Sequence, residues 1–379
     1  MPPATNPNTN TQAPNQYRLP FEAPIFEMEA RLAELEARQS QGDGSGLTDQ
    51  IRTIRRELIG LKRAIFANLT PWETVQVSRH QLRPQSRDYL ELIFDQFLEI
   101  HGDRAVGDDP AMVTGFAHLG EKKLMFIGHQ KGRDLAERTA CNFGCAHPEG
   151  YRKALRAMKL AERHRLPIVC LIDTPGAYPG IQAEERGQAA IIAENLMAMS
   201  QIDTPIVCVV IGEGGSGGAL GIGIGDRVGM MEHSYYSVIS PEGCATILWK
   251  TAERKDRAAE ALKMTGRDLL RFGIIDEVVE EPPGGAHRDP RGAAVALKGF
   301  LTRSLRKIAE IPREELLEHR YQKFRRIGEF FEEGPEPAVA DPEAEPDADR
   351  TEEPGGPAQA TPPPSAVNGA SVHHPPTSP

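Results

Sequence analysis

The chain has 379 residues and a formal net charge of −10, a length that allows two to three domains. The segment 334–379 holds eight acidic side chains and one basic side chain, so it carries −7 of that charge and leaves only −3 for the rest. A body this close to neutral has no basic stripe along which a nucleic acid could release counterions, so we expect no nucleic-acid partner.

The apolar runs predict a protein that stays outside membranes. The two longest, 168–172 and 206–211, are far shorter than the ~18 residues that a spanning helix requires. The N-terminus lacks a positive segment followed by an apolar one, so we predict no secretory signal and expect a cytoplasmic protein. Five cysteines in a long chain favour reduced, packed thiols over a disulfide framework. Cys141 and Cys145 are the only close pair, and we expect no metal site.

Composition and periodicity divide the chain into four predicted regions. They are a disordered N-terminal tail (1–20), a helical hairpin with a lead-in helix (21–100), an α/β domain (101–330) and a disordered C-terminal tail rich in Pro, Glu and Ala (331–379). The tails have too little apolar surface to offset the entropy of ordering them.

The predicted hairpin rests on two amphipathic stretches. Apolar residues recur at helical spacing from Ile25 to Leu35 and from Ile51 to Ile65, with a glycine-rich turn between them. The apolar stripe could pack against the body or dock a partner chain, and the sequence leaves both open. A further helix is predicted over residues 87–100.

Residues beyond Met112 predict an α/β fold. Two β-rich runs separated by a short turn are typical of a hairpin. The continuous apolar runs 168–172 and 206–211 then alternate with helical patterns. Such alternation predicts crossover units and a mostly parallel sheet.

Both apolar runs end in glycine-rich turns, 173–180 and 212–221. In an open parallel sheet, ligands bind outside the carboxyl ends of the strands, which is where both turns are expected. Glycines in the second turn allow close approach of a ligand, and the N–H groups that open the next helix can stabilise negative charge on oxygen. The turn therefore predicts a phosphate cradle, an oxyanion hole, or simply a tightly packed strand-to-helix junction.

The sequence disfavours nucleotide binding. Ala219 and Leu220 stand where a P-loop requires Lys and Ser or Thr. Asp226 and Glu232 come too soon after the glycine motif for the acidic residue of a dinucleotide site. The oxyanion hole and the packed junction remain as interpretations.

Side-chain catalysts are few. Ser216 lies in a Gly-Gly-Ser-Gly-Gly segment that imitates the nucleophile elbow of hydrolases. The histidine that a triad needs could only be one of three downstream residues: His233, His287 or His319. Glu213 and Glu242 could act as general acid and base, although Glu242 also suits a helix start.

A third segment, 129–133, follows a predicted strand. His129 and Lys131 could donate hydrogen bonds to an anionic ligand, or the segment could be a solvated turn.

Several segments together resemble one known family, the carboxyltransferase alpha subunits of bacterial-type multisubunit acetyl-CoA carboxylase. The matching segments run in order over about residues 20–330 and include IGHQKGR (127–133), PEGYRKALR (148–156), IDTPGAYPG (172–180), IGEGGSGGAL (211–220) and EPPGGAHR (281–288). The resemblance implies a crotonase-like (ClpP/crotonase) core, a spiral of ββα units, over residues 101–330. The tail beyond residue 330 lies outside the match.

The resemblance also implies a reaction and its partners. A carboxyl group would pass from carboxybiotin on a biotin carboxyl carrier protein to acetyl-CoA, giving malonyl-CoA for fatty acid synthesis. ATP would be used by a separate biotin carboxylase component. A beta subunit would complete an α2β2 assembly and would hold the zinc of the family, so no metal and no permanently bound cofactor are expected in this chain.

Family members place an oxyanion hole at positions that correspond to Gly217 and Gly218, facing the biotin ureido oxygen. The expected substrate-binding residues are Gly176, Ala177, Tyr178, Gly214, Gly215, His129 and Lys131. Two alternatives remain: a stand-alone crotonase-type hydratase or hydrolase that uses Glu213 or Ser216, and a non-catalytic scaffold of a carboxylase complex.

Overall fold

A computed structural model describes residues 17–41 and 46–328 of the chain. The predicted C-terminal tail lies outside the described residues, as do residues 1–16 of the predicted N-terminal tail. Residues 17–20 lead into a helical turn at Pro20–Glu22. None of the helices in the described ranges combines the length and the apolar character needed to cross a bilayer.

Helices and strands follow one another along most of the described chain. The helices are α1 (Ala23–Ser40), α2 (Leu47–Ala67), α3 (Pro71–Ser78), α4 (Ser86–Ile93), α5 (Leu135–Ala140), α6 (Pro148–Arg163), α7 (Ile181–Glu185), α8 (Gln188–Gln201), α9 (Ser216–Leu220), α10 (Pro241–Trp249), α11 (Lys255–Leu262), α12 (Gly266–Arg271), α13 (Pro290–Ala309) and α14 (Arg313–Arg325). The strands are β1 (Gln96–Glu99), β2 (Met112–Leu119), β3 (Lys122–His129), β4 (Ile168–Thr174), β5 (Ile206–Gly215), β6 (Arg227–Met231), β7 (Tyr235–Ser237) and β8 (Glu277–Val279).

One sheet organises the body. Its strand order is β1-β2-β3-β4-β5-β6-β8, and β7 pairs with the end of β5. The pairs β1/β2 and β2/β3 are antiparallel, and the pairs from β3 to β8 are parallel. The predicted α/β fold class is confirmed by this mostly parallel sheet.

Two apolar layers cover the sheet. In β4, Ile168, Cys170 and Ile172 face the layer of α6 and α8, whereas Val169 and Leu171 face the layer of α4 and α13. Strands covered on both faces need apolar side chains at every position, which is why β4 and β5 read as continuous apolar runs. All five cysteines are free, and Cys141, Cys170 and Cys208 are buried.

The predicted lead-in helix over residues 87–100 is half wrong. Helix α4 ends at Ile93, and residues Gln96–Glu99 form the edge strand β1, antiparallel to β2. The Phe97 ring lies where a Cβ at Gly115 would come within 2.5 Å of it. Gly115 in β2 leaves room for this aromatic ring. Strand β1 can therefore pair with β2 at the edge of the sheet, where the sequence predicted a helix.

The helical hairpin is confirmed and packs against the body. Its loop residues 42–45 lie outside the described residues, but α1 and α2 share an apolar cluster with Val77 of α3. Glu22, before α1, accepts hydrogen bonds from Arg288 at 2.7 Å and pairs with His287 at 3.2 Å. The described hairpin and the α/β body belong to one compact unit. Docking of a partner chain on the hairpin stays a prediction.

Helix α14 is anchored by one buried arginine. Arg320 is 1% exposed, and its guanidinium bonds both carboxylate oxygens of Asp226 at 2.8 and 2.9 Å. It also donates to the carbonyl oxygens of Met199, Ile202 and Thr204. Because Asp226 in turn accepts from the backbone N–H of Ile206, the arginine ties the C-terminal helix to the start of β5.

Replacing this arginine should destabilise the fold. Arg320→Met leaves the Asp226 carboxylate buried without its cation, and we expect the free energy of unfolding to fall by about 3–5 kcal/mol. Arg325→Met, at an exposed position on the same helix, should change it by less than about 0.5 kcal/mol. Urea unfolding followed by circular dichroism measures both, and equal effects of the two variants would contradict the assigned role.

Candidate functional site

The two predicted glycine-rich segments lie side by side at the carboxyl ends of β4 and β5. The strands are parallel neighbours, and Thr174 pairs with Gly214 near their ends. A Cβ at Gly215 would lie 2.1 Å from the Pro175 carbonyl oxygen, and one at Gly218 would lie 2.5 Å from the Ala177 backbone nitrogen. These two positions therefore need glycine because the two segments pack directly on each other.

The sequence predicts a turn over residues 212–221, but the first part of this segment is a strand. Strand β5 continues to Gly215 because its end pairs with β7, Gly214 opposite Tyr236 and Gly215 opposite Ser237. The predicted turn over 212–221 is therefore wrong for its first four residues. Ser216 then turns the chain into α9 with a φ of +49°, in the left-handed region.

An apolar cavity of about 520 Å³ lies beside the start of α9. Ser216 and Gly217 form part of its wall, and most other lining side chains are apolar, among them Leu220, Tyr236, Val238, Leu269, Ile274 and Phe324. A Cβ at Gly217 would meet no atom closer than 3.8 Å, from Ile192. A cavity of this size and character suits the apolar body of a small organic ligand.

The predicted oxyanion residues begin α9. The first N–H groups of a helix have no partner within the helix, so they can donate to a ligand oxygen. Gly218 is buried and its carbonyl oxygen accepts a hydrogen bond from Tyr151 at 3.1 Å, which fixes the peptide that follows it.

The loop after β4 is held by its own contacts. Thr174 Oγ1 donates to the Gly176 carbonyl at 2.8 Å and accepts from the Gly176 N–H at 3.1 Å. The ring of Tyr178 stacks on His147 with 4.0 Å between centroids. Gly176 and Ala177 thus lie against Gly218, whereas the Tyr178 ring is stacked on a neighbouring histidine. The roles of all three residues in ligand binding stay predictions.

His129 and Lys131, the predicted hydrogen-bond donors to an anionic ligand, lie in enclosed surroundings. His129 is fully buried at the end of β3, and burial, together with the nearby Lys131 charge, lowers the pKa of His129 to about 3. The Lys131 ammonium contacts Asp173 Oδ1 at 2.6 Å and Glu213 Oε1 at 2.7 Å. Both residues stay predictions as ligand-binding groups, although the lysine already has two carboxylate partners.

Glu213 lies at the centre of an ionic cluster, which we call the Glu213 cluster: Arg79, Lys131, Asp173, Glu213, Tyr235 and Glu242. Asp173, Glu213 and Tyr235 are buried, whereas Arg79 and Glu242 are half-buried. Glu213 accepts from Arg79 Nε at 2.6 Å, from Lys131 at 2.7 Å and from the Tyr235 hydroxyl at 2.7 Å. Burial alone would raise the pKa of Glu213, but the charges of Lys131 and Arg79 lower it to about 2. Glu213 therefore stays ionised at neutral pH and has no proton to donate.

The sequence reasoning missed Arg79 and the role of Asp173. Arg79 follows α3, and its Nη1 donates to Glu242 Oε1 at 2.6 Å, so one guanidinium joins both carboxylates that were considered as acid and base. A capping box at Thr70 and Glu73 marks the start of α3 in the sequence and could have predicted the helix. Nothing local could have predicted which carboxylates the arginine meets.

The side chains of a hydrolase triad are not brought together. Among the described residues, no histidine hydrogen-bonds Ser216. His233 packs on the Phe66 ring with 5.3 Å between centroids, His287 pairs with Glu22, and His319 lies 3.6 Å from Glu315 on α14. The similarity of the segment to a nucleophile elbow is therefore confined to its backbone.

Within the described ranges, one group of side chains has the spacing of metal ligands: Glu22, His80 and His287. Its atoms already have other partners. Arg288 donates to Glu22 at 2.7 Å, and His80 Nε2 lies 2.7 Å from the Tyr17 carbonyl oxygen. The positive charge of the Arg288 guanidinium at the Glu22 carboxylate repels a metal cation at this position.

Comparison with known proteins identifies the family. Residues 18–328 match the family described as acetyl co-enzyme A carboxylase carboxyltransferase-like. A protein of Rhodopirellula baltica named acetyl-coenzyme A carboxylase carboxyl transferase subunit alpha is 56% identical over 83% of this chain and 98% of its own length. One of the same name from Methylococcus capsulatus is 55% identical, with the same two coverages.

Among solved structures, a transcarboxylase 12S with methylmalonyl-coenzyme A and methylmalonic acid bound has a TM-score of 0.46 and 23% identity, covering 58% of this chain and 42% of that one. The assignment rests on the family match and on the relatives of similar length. The resemblance read from the motifs is confirmed: this chain belongs to the acetyl-CoA carboxylase carboxyltransferase family, among its alpha subunits.

Proposed function

We propose that this chain is the alpha half of a carboxyltransferase that acts on acetyl-CoA and forms malonyl-CoA. Carboxybiotin, presented by a biotin carboxyl carrier protein, supplies the carboxyl group. A beta subunit completes an α2β2 enzyme, and a separate biotin carboxylase uses ATP to load the carrier. A cytoplasmic location and a role in fatty acid synthesis belong to the same proposal.

The cavity beside α9 is the observation that carries this proposal. Its apolar wall suits the fused rings of biotin, and Gly217 borders it with no side chain in the way. The amides of Gly217 and Gly218 lie at the start of α9, where N–H groups are free to stabilise negative charge on a ureido oxygen. The backbone of this chain thus orients the biotin rings and stabilises the negative charge on the ureido oxygen.

The charged side chains nearby favour this function over a stand-alone hydratase. A hydratase requires a carboxyl that exchanges protons near neutral pH. Glu213 is ionised and bonded to three donors, and Glu242 holds Arg79 from the other side. With both carboxylates occupied, the described residues leave catalysis to backbone amides and to groups supplied by partners.

Exposed apolar side chains near the cavity support a partner subunit at this face. Val238 and Leu220, which both line the cavity, are 77% and 39% exposed. Apolar side chains gathered at the rim of a site are typical of a surface that another protein covers. We infer that the beta subunit covers this face and supplies the acyl-CoA side of the site.

The assembled enzyme should be active where the single chain is not. The test measures the transfer of a carboxyl group from malonyl-CoA to free biotin, and the release of acetyl-CoA serves as the readout. The assay is run with this chain alone and with this chain together with its beta subunit. We expect transfer only with both subunits. Hydration of an enoyl-CoA or hydrolysis of an acyl ester by the isolated chain would contradict the proposal and favour the stand-alone enzyme.

A single added methyl group tests the packed glycines. In Gly218→Ala the new Cβ must displace the backbone of Gly176 and Ala177, which shifts the Gly218 amide. We expect turnover to fall by about 100-fold, the cost of losing one oxyanion donor.

The matched control for this variant is Gly60→Ala on α2, where a Cβ would meet no atom within 4 Å. Its turnover should equal that of the unmodified enzyme. Co-elution with the beta subunit and an unchanged circular dichroism spectrum show that each variant is folded. Near-normal turnover of Gly218→Ala in a folded complex would refute the oxyanion role.

A further inference from the structure

The Glu213 cluster joins the two glycine segments of the site through buried charges. Asp173, on β4, accepts from the backbone N–H of Glu213 on β5 at 2.9 Å and from Lys131 at 2.6 Å. Lys131 also contacts the Glu213 side chain at 2.7 Å. One ammonium therefore crosslinks the ends of both strands.

The geometry around this crosslink leaves little freedom. A Cβ at Gly212 would lie 2.4 Å from Asp173 Oδ1, and one at Gly144 would lie 2.6 Å from Lys131 Cγ. The Gly144 backbone therefore packs directly on the stem of the lysine side chain. The lysine side chain is 12% exposed, so an incoming substrate has little access to it.

Short chain segments connect the crosslink to the amides of the site. Asp173 lies three residues before Gly176, and Glu213 lies four residues before Gly217. Where the two segments meet, Gly215 packs against Pro175 and Gly218 packs against Ala177. A shift of either carboxylate would therefore move one segment against the other.

We propose that Lys131 is a positioning residue, which sets the amides of Gly217 and Gly218 through Asp173 and Glu213 and does not bind substrate itself. This inference rests on the proposed carboxyltransferase function. It replaces the expectation that Lys131 donates to an anionic ligand, and it gives Arg79 a matching role on the far side of Glu213.

Charge balance explains why a cation is required there. Without Lys131, Arg79 is the remaining cation of the cluster: it pairs with Glu213 and Glu242, while Asp173 loses its salt bridge. A buried carboxylate that loses its partner cation is strongly destabilised and moves or takes up a proton. Movement of the charged carboxylate displaces the strand ends, and misplacement by about 1 Å can cost about 100-fold in rate.

The test compares Lys131→Met, Glu213→Gln and the double variant in the complex with the beta subunit. Transfer from malonyl-CoA to free biotin gives kcat and both KM values. We expect Lys131→Met to lower kcat by about 100-fold with both KM values within about threefold of the unmodified enzyme. The double variant should recover at least tenfold, because it removes one unpaired carboxylate. Lys298→Met, at an exposed position on α13, serves as the control and should leave kcat and both KM values unchanged.

The pH profile supplies a readout that a merely structural role would not move. Glu213 faces Lys131, Arg79, Tyr235 and Asp173, and its pKa of about 2 keeps it ionised throughout the assay range. Without Lys131, burial raises that pKa. Turnover of Lys131→Met should then rise as the pH is lowered from 8 to 5, because protonation removes the unpaired charge as the glutamine does in the double variant. The unmodified enzyme should show no such pH-dependent rise, since its Glu213 stays ionised over this range.

Each other result overturns the inference. A raised KM with unchanged kcat would mean that Lys131 contacts the substrate, and an unaltered kcat would mean that the crosslink does not position the site. If Lys131→Met fails to fold, Glu213→Gln decides: we expect kcat to fall about tenfold, and an unchanged kcat overturns the inference. An inactive unmodified complex would instead refute the proposed function, and the inference with it.

Discussion

Two chain segments approach each other closely at the carboxyl ends of β4 and β5, and the geometry of the candidate site follows from this contact. Gly215 and Gly218 pack on the backbone of Pro175 and Ala177 at distances that admit no Cβ. Parallel pairing brings the strand ends together, because neighbouring parallel strands end at the same edge of the sheet. The glycines therefore serve contact between backbones as well as access for a ligand.

The same constraint explains why the chemistry of this chain belongs to its backbone. Every carboxylate close to the strand ends is engaged: Asp173 and Glu213 by Lys131, and Glu242 by Arg79. The charges of Lys131 and Arg79 lower the pKa of Glu213 to about 2, so this carboxylate keeps one protonation state and cannot exchange protons with a substrate near neutral pH. A carboxyltransferase suits such a site, since its central task is to stabilise charge on oxygen, and preorganised amides do this without moving.

The elements outside the sheet are tied to it by buried ion pairs at several places. The hairpin is tied to the segment before α13 by Glu22 and Arg288, and α14 is tied to β5 by Arg320 and Asp226. Arg79, just after α3, reaches across to both Glu213 and Glu242. Each link pairs groups far apart in the sequence, and each leaves a buried charge unpaired if one partner is lost.

The fold class, the family, both buried strands and the hairpin could be predicted from the sequence, because they follow from local periodicity and from motifs that span most of the chain. It also located the two glycine segments that meet in the site. Tertiary structure alone decided that residues 96–99 form an edge strand under Gly115, and that β5 continues to Gly215 because β7 supplies its partner. It likewise decided the partners of Lys131 and Arg79. Hydrogen bonds between strands and pairing of buried charges depend on residues remote in sequence, so no local pattern could have specified them.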